Sequence, residues 1–433
     1  MKIKTKQSTL QKVLSLPPQK HKKPKRPWFL FRLIIRVASQ LDLWSTRFTY
    51  TFPNQREVLK QPCLILMNHS SFLDLEIASR ILFPRPYGIV STTDGMVGKA
   101  WLMERIGCIP TQKFVSDLRL IRDIKYMLKE KKTHVLMYPE AGYSFDGCAT
   151  ALPKKLGACL KLLGVPVVMI TTYGAFARDP LYNGLQKRKV KVSAECRLLL
   201  SREEIAERSV EELDGVIQEA FSFDQFAWQK ENGVEIREPF RADGLERILY
   251  KCAACGKEGT TKGEGTTLSC AHCGKSYHMD VLGQLKAKEG PTEFSHIPDW
   301  YRWERECVKK ELEDGAYRLD TPVTIGMLVD HKALYMVGEG RLIHNEEGFL
   351  LTGCEGELHY EQKPLATHSL NSDYYWYEIG DVICIGNAKA LYYCFPHQQG
   401  VVTKTRLATE ELYRVCQAEK RGRMVASAKP KNE

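Results

Sequence analysis

Two short knuckles, Cys252-Ala253-Ala254-Cys255-Gly256 and Cys270-Ala271-His272-Cys273-Gly274, constrain this chain more than any other feature. Each C-x-x-C unit sets two thiolates on one tight turn, and the glycine after it supplies the backbone freedom that the turn needs. Two such units at this separation bring four sulfurs to one tetrahedral metal site. The spacing matches a zinc ribbon, expected over residues 245–285. A pair of redox dithiols is the competing reading, and the shared glycine and short separation argue against it. With Cys252, Cys255, Cys270 and Cys273 filling every position, a bound Zn2+ is closed to water and structural. His272 and His278 are not needed as ligands. Fourteen cysteines are scattered along the chain, and only these four have a diagnostic spacing. With no signal peptide pointing to an oxidising compartment, the others are expected to be reduced and mostly buried.

At 433 residues the chain is too long for one ordinary core, so further domains are expected on both sides of the ribbon. From about Cys63 to Leu200, apolar strand-like runs alternate with helical patterns. Leu64 to Met67, Tyr87 to Thr92, His134 to Tyr138 and Val165 to Thr171 have the character of strands. Leu118, Ile121, Ile124 and Leu128 recur at helical spacing between charges, which predicts an amphipathic helix. The alternation predicts an α/β domain over residues 45–235, with a partly parallel mixed sheet flanked by helices. After the ribbon, a helical linker over residues 286–318 leads to segments rich in β-branched and aromatic residues, separated by Gly and Asn turns. These predict a small, mostly β domain over residues 319–420, followed by a basic tail over 421–433.

Net charge is +11 and unevenly spread: no acidic residue occurs from Met1 to Leu41, and Lys20 to Arg26 is almost continuously basic. Such an arm suits an anionic membrane surface or a nucleic acid equally well. The run Trp28 to Ala38 that follows is too short to span a bilayer and is broken by Arg32 and Arg36. On a helix these arginines share one face and leave the other apolar, which describes an interfacial helix within a 1–44 arm. A core helix of the first domain is the alternative.

Asn68-His69-Ser70-Ser71-Phe72-Leu73-Asp74 follows the apolar run Leu64 to Met67 and opens a helical pattern. The histidine therefore sits in a strand-to-helix turn with the aspartate in the first helical turn behind it. A carboxylate there holds one imidazole nitrogen while the other faces a substrate hydroxyl, the arrangement of a general base. Ser71 and Asp74 also fit a capping box, so a purely structural pair is the competing explanation.

Four blocks, in order, resemble the glycerolipid acyltransferase family, the 1-acylglycerol-3-phosphate acyltransferases and their relatives. Asn68 to Asp74 is similar to the family's N-H-x-S-x-x-D block. Gly107-Cys108-Ile109-Pro110-Thr111-Gln112-Lys113 lies where the family has a glycine block ending in arginine. Tyr138-Pro139-Glu140-Ala141-Gly142-Tyr143-Ser144 is similar to F-P-E-G-T-R-S, and Val165 to Ile170 to an apolar proline-containing strand. The resemblance covers residues 45–235, slightly under half of the chain.

The resemblance implies an O-acyltransferase that moves a fatty acyl group from acyl-CoA or acyl-carrier protein to a lysophospholipid hydroxyl, such as that of 1-acylglycerol-3-phosphate. It makes His69 the base, oriented by Asp74, with no catalytic metal. Backbone N–H groups at the helix start are candidates for the oxyanion donors. By the same resemblance Lys113, Glu140, Gly142, Tyr143 and Ser144 bind the acceptor. Lys113 and Tyr143 stand where the family has arginines: lysine remains a point charge, and tyrosine keeps only a hydrogen bond. That widens the acceptor to other lysophospholipids. The implied setting is the cytoplasmic face of a membrane, held peripherally through the N-terminal segment. The sequence also admits two other function classes: a catalytically degenerate scaffold, and a nucleic-acid-binding protein built on the ribbon. The near balance of lysines and acids between Cys252 and Cys273 argues against the latter.

Overall fold

Leu64, Ile65, Leu66 and Met67 are all buried, and their alternation serves two cores at once. Ile65 and Met67 pack with Leu43, Leu73, Ile77 and Leu82. Leu64 and Leu66 point to the other side, where they meet Ile124, Leu128, Leu160 and Ile217. A strand covered on both faces in this way belongs in the middle of a sheet clothed by helices. The computed structural model describes residues 2–53, 56–115 and 117–427. It divides into two compact units: Lys20–Trp300, and a second made of Gln19 and what precedes it together with Tyr301 onward.

The chain begins with β1 (Thr5–Gln7) and helix α1 (Leu10–Leu14), which belong to the second unit. The Lys20–Trp300 unit starts with the basic run and helix α2 (Phe29–Ser45). Seven of its strands are β2 (Thr49–Thr51), β3 (Leu64–Met67), β4 (Tyr87–Thr92), β5 (Cys108–Thr111), β6 (His134–Met137), β7 (Val167–Tyr173) and β8 (Ser193–Leu200). They form one sheet in the order β2-β8-β7-β3-β6-β4-β5. Strands β3 to β7 run parallel, and β8 is antiparallel to β7. This is the partly parallel mixed sheet expected of the α/β domain. Because β3 to β7 share one direction, the turns that follow them converge on one edge. Helix α3 (Leu73–Leu82) leaves the end of β3 and packs against α2.

Helix α2 is turned the unusual way round. Leu30, Leu33, Ile34, Val37, Leu41 and Trp44 form a single stripe at helical spacing, and all are exposed. Inward it buries Ser39 and Leu43, while Arg32 and Arg36 are half-buried on the protein side. Arg32 donates to the Pro84 carbonyl, and Arg36 to Gln40. The basic run before it is held against its own unit: Lys22 and Lys25 pair with Glu104, His21 meets Asp123, and Lys23 lies over Tyr126. The expected 1–44 arm is thus divided, its beginning belonging to the second unit and its basic run packed on the first.

Two of the four cysteines precede a small antiparallel sheet of β9 (Thr261–Glu264), β10 (Thr267–Cys270), β11 (Ser276–Met279) and β12 (Leu285–Ala287), ordered β12-β11-β10-β9; Cys270 ends β10 and Cys273 lies in the turn after it. The linker contains the helix Ile297–Glu313.

In the second unit, β13 (Leu319–Leu328), β14 (Leu334–Asn345), β15 (Gly348–Gly353), β16 (Leu358–Gln362), β17 (Asn371–Trp376), β18 (Gly380–Gly386) and β19 (Leu391–Pro396) form an antiparallel sheet. Its order is β16-β15-β14-β13-β19-β18-β17, and β1 adds a parallel strand on β14 from Thr5↔Leu334 to Gln7↔Met336. The helix Val401–Ser427 packs on it, nearly every residue from Val401 to Leu412 being buried. Buried Glu410 is met by Arg305 at 2.7 Å and by the Ser369 hydroxyl at 2.6 Å. Of the basic tail expected over 421–433, residues 421–427 continue this helix and 428–433 lie outside the described residues.

Candidate active site

Asn68 closes β3, and its side chain clamps the end of the neighbouring strand. Asn68 Oδ1 accepts from the Thr172 N–H at 2.8 Å, and Nδ2 donates to the Thr172 carbonyl at 3.4 Å. The chain then turns sharply through His69, Ser70 and Ser71 into α3, whose first turn carries Asp74. Asp74 is buried, and its Oδ2 accepts three hydrogen bonds: from His69 Nδ1 at 2.8 Å, the Ser70 N–H at 2.9 Å and the Ser71 N–H at 3.2 Å. A carboxylate oxygen only accepts, which puts the imidazole proton on Nδ1 and leaves the lone pair on Nε2. The expected Ser71–Asp74 capping box is only half formed: Asp74 binds the Ser71 amide, whereas Ser71 Oγ accepts from the Leu73 N–H at 3.0 Å and the Asp74 amide donates to the Ser71 carbonyl at 3.2 Å. Asp74 Oδ1 and Ser70 Oγ are buried without a hydrogen-bond partner among the described residues.

The His69 ring keeps 23% of its side-chain surface exposed. Tyr138 stacks on it with centroids 4.3 Å apart and planes inclined by 29°, and Tyr143 lies at the same distance with an inclination of 34°. Two aromatic rings that close pack on the imidazole and shield part of it from solvent. Phe72, 60% exposed, packs on Tyr143 and forms the outer rim.

Glu140 is placed differently from a residue that touches a bound acceptor. It is buried, and its Oε2 accepts from the His69 N–H at 2.9 Å while Oε1 accepts from the Thr150 N–H at 3.0 Å. Burial pushes its carboxyl up to about 7, against the pull of those two amides. It holds the backbone of the histidine. Ser144 is similarly occupied: its amide donates to the His69 carbonyl at 3.3 Å and its hydroxyl to the Cys148 carbonyl at 2.6 Å. Gly142 faces open space, and the residue forced into the left-handed region is Ala141, at φ 54°. Lys113 follows β5, three strands across the sheet from β3 and at the same edge. Of the residues expected around an acceptor, Tyr143 alone touches the imidazole itself.

Several contributors carry no motif that marks them. Tyr138 and Phe72 lie inside the blocks as apolar members. Asp179, just after the short helix Ala175–Arg178 that follows β7, accepts from the Ser71 hydroxyl at 2.6 Å. Nothing in the sequence around Asp179 distinguishes it from a loop acid.

The second candidate centre is the cysteine cluster. The sulfurs of Cys252, Cys255, Cys270 and Cys273 all lie within 4.8 Å of one another. Cys252–Cys273 and Cys255–Cys270 are each 3.8 Å apart. A tetrahedral ion with metal–sulfur bonds of about 2.3 Å needs sulfurs about 3.8 Å apart. The residues fit such an ion. Gly256 and Gly274 both take positive φ, 70° and 76°, and their amides donate back to the carbonyls of Cys252 and Cys270. The two knuckles are thus the same turn used twice.

Comparison with known proteins bears on the first centre. The acyltransferase family model matches residues 47–172. No curated protein gives a sequence match. Among solved structures, the 1-acyl-sn-glycerophosphate (LPA) acyltransferase PlsC from Thermotoga maritima is similar at 16% identity and a TM-score of 0.36, over 44% of this chain and 76% of that one. Among the described residues, no helix is long and apolar enough to cross a membrane.

Proposed function

We propose, starting from a chain whose residues 47–172 form an acyltransferase-family domain, that it transfers a fatty acyl group from an acyl thioester to the hydroxyl of a lysophospholipid. The observation that carries this reading is the His69–Asp74 hydrogen bond at 2.8 Å, which leaves Nε2 as the one basic nitrogen at the mouth of the site. In this mechanism Nε2 removes the acceptor's hydroxyl proton as its oxygen attacks the thioester carbonyl. The tetrahedral intermediate collapses with cleavage of the carbon–sulfur bond, and the departing thiolate takes the proton back from the imidazolium. Asp74 fixes the tautomer and stabilises the transient positive charge. General-base help of this kind contributes roughly 100- to 10,000-fold. The amides of Ser70, Ser71, Leu73 and Asp74 are already engaged within the turn, so the oxyanion takes its donors from elsewhere.

The setting is a membrane surface, engaged peripherally by the outward stripe of α2. The exposed row from Leu30 to Trp44 is apolar, and exposed Trp101 lies beside the same helix through its edge contact with Phe31. Acceptors of this class reside there, on the cytoplasmic face where acyl-CoA or acyl-carrier protein supplies the donor. Zn2+ is the ion for the four cysteines, in a closed structural role. The acceptor class includes 1-acylglycerol-3-phosphate, with Lys113 as the available point charge and Tyr143 in place of a second cation.

The test is transfer of labelled acyl-CoA to a panel of lysolipids presented in vesicles. Wild-type protein acylates at least one of them, and His69→Ala falls by two or more orders of magnitude. A fully active His69→Ala protein would sink the assignment.

A further inference from the structure

Asp179 is buried, lies outside all four motif blocks, and no step of the reaction above uses it. It follows β7, the strand beside β3, and reaches the catalytic turn from behind. Its Oδ1 accepts the Ser71 hydroxyl at 2.6 Å. That bond settles the serine's rotor: with its proton on Asp179, Ser71 Oγ presents a lone pair to the Leu73 N–H at 3.0 Å. The amide of the same serine donates to Asp74 Oδ2 at 3.2 Å, the oxygen that also holds His69 Nδ1. Asp179 itself is steadied by its neighbour, for Arg178 Nη1 lies 3.9 Å from its other oxygen and Arg178 Nη2 donates to Asp42 at 3.1 Å. A chain of contacts thus runs from the buried Arg178–Asp179 pair through Ser71 and Asp74 to the imidazole.

The turn is held at four points. Asn68 ties its start to Thr172, Glu140 holds the His69 amide, the Ser144 amide holds the His69 carbonyl, and Asp179 holds Ser71. The first three fix the backbone up to the His69–Ser70 peptide. The fourth acts one residue further on, at the serine whose own amide binds Asp74 Oδ2. A buried carboxylate–hydroxyl bond is directional and costly to break without replacement.

We propose that Asp179 is a positioning residue for acyl transfer, acting through Ser71 to set the angle at which Asp74 presents His69. The proposal rests on the assignment of His69 as the base. Releasing Ser71 lets the first turn of α3 relax, and misplacing the base by a fraction of an ångström costs turnover rather than affinity.

A double-mutant cycle tests it on the full-length protein, with the lysolipid acceptor that wild type uses and acyl-CoA. Asp179→Ala and Ser71→Ala are each expected to lower kcat about 10- to 100-fold, with KM for both substrates within about threefold. The double variant falls no further than the worse single one, because both remove the same link. Asp179→Asn, which keeps an acceptor for the serine hydroxyl, recovers about tenfold over Asp179→Ala. A folded Asp179→Ala protein within twofold of wild-type kcat overturns the proposal, as do single losses that multiply in the double variant. If Asp179→Ala does not fold, Ser71→Ala carries the test from the other end of the same link, and a folded Ser71→Ala protein within twofold of wild-type kcat overturns the proposal. His69→Ala separates the two levels of the argument. An active His69→Ala removes the underlying assignment, whereas an inactive one beside a fully active Asp179→Ala removes only this inference.

Discussion

Tyr143 lies against the imidazole of His69, ring centroids 4.3 Å apart, at the position where the resembling block has an arginine. An aromatic ring there shields one face of the base and supplies no charge for a phosphate monoester. Phe72 packs on the tyrosine and leaves the rim apolar. Under the proposed function, the choice of lipid headgroup is made beside the base.

Tyr143→Arg is expected to shift acceptor choice toward phosphate monoesters. Relative kcat/KM for 1-acylglycerol-3-phosphate over a choline-headgroup lysolipid should rise by about tenfold or more, through a charge-assisted contact that tyrosine does not make. Competition between the two acceptors in one vesicle population measures it. An unchanged ratio would mean that the headgroup does not reach residue 143.

Glu140→Gln replaces an acceptor of two amides by a group with one oxygen and one NH2. One of the His69 and Thr150 amides then faces a donor, a loss of roughly 1–3 kcal/mol. The pH dependence should also change. The native carboxyl is raised to about 7 by burial, so its stabilising contribution is complete below the unfolded value near 4.5. It is lost as pH rises through about 7, on the order of 3 kcal/mol in all. Asp179 and Glu76 are also raised to about 7 and act with the same sign, so the difference between variant and wild type is the informative quantity. Thermal melts between pH 4.5 and 8 should show a flatter curve for Glu140→Gln, and parallel curves would contradict this account.

Val37 and Leu41 are 63% and 74% exposed on the outward stripe of α2. Val37→Glu with Leu41→Glu should leave the melting temperature within about 2 °C, since neither side chain is buried. The same pair should reduce cosedimentation with anionic vesicles by tenfold or more. Activity on a water-soluble short-chain acceptor is expected to survive. Undiminished vesicle binding would show that α2 is not the docking face.

Cys255→Ser, or prolonged chelation of the wild-type protein, should release one equivalent of zinc and unfold the ribbon. Structural sites of this type contribute several kcal/mol to their domain. Metal analysis with hydrogen exchange over residues 245–285 reads both effects. Zinc bound at full occupancy in Cys255→Ser would refute the four-sulfur site.

The local signals were legible because they are local. Leu64 to Met67 could be recognised as a buried strand from four consecutive apolar residues, and the turn after it from Asn68 and Ser71. The C-x-x-C-Gly pairs identified their own partners, since two identical knuckles at short separation have little else to bind. His69 and Asp74 could be paired from the strand-to-helix turn between them, with a capping box as the alternative, and the structure forms only the half of that box in which Asp74 binds the Ser71 amide. By contrast, the sequence of α2 admits both an interfacial helix and a core helix. Periodicity reports that an apolar stripe exists, and the burial of Ser39 and Leu43 on the other side decides which side is covered.

What the sequence by itself determined is the chemistry available at each turn: an imidazole behind β3, a glutamate behind β6 and four thiolates on two knuckles. The tertiary structure decided what each of them touches. It turned Glu140 from an acceptor contact into the clamp on the His69 amide, laid Tyr143 on the imidazole, and brought Asp179 from more than a hundred residues away to the Ser71 hydroxyl. It also joined β1 to β14, setting the chain's first residues beside its last domain. The physical reason is the range of the forces. Propensity, capping and ligand spacing act over a few residues, whereas burial and buried hydrogen bonds are settled by whatever the closing sheet places opposite.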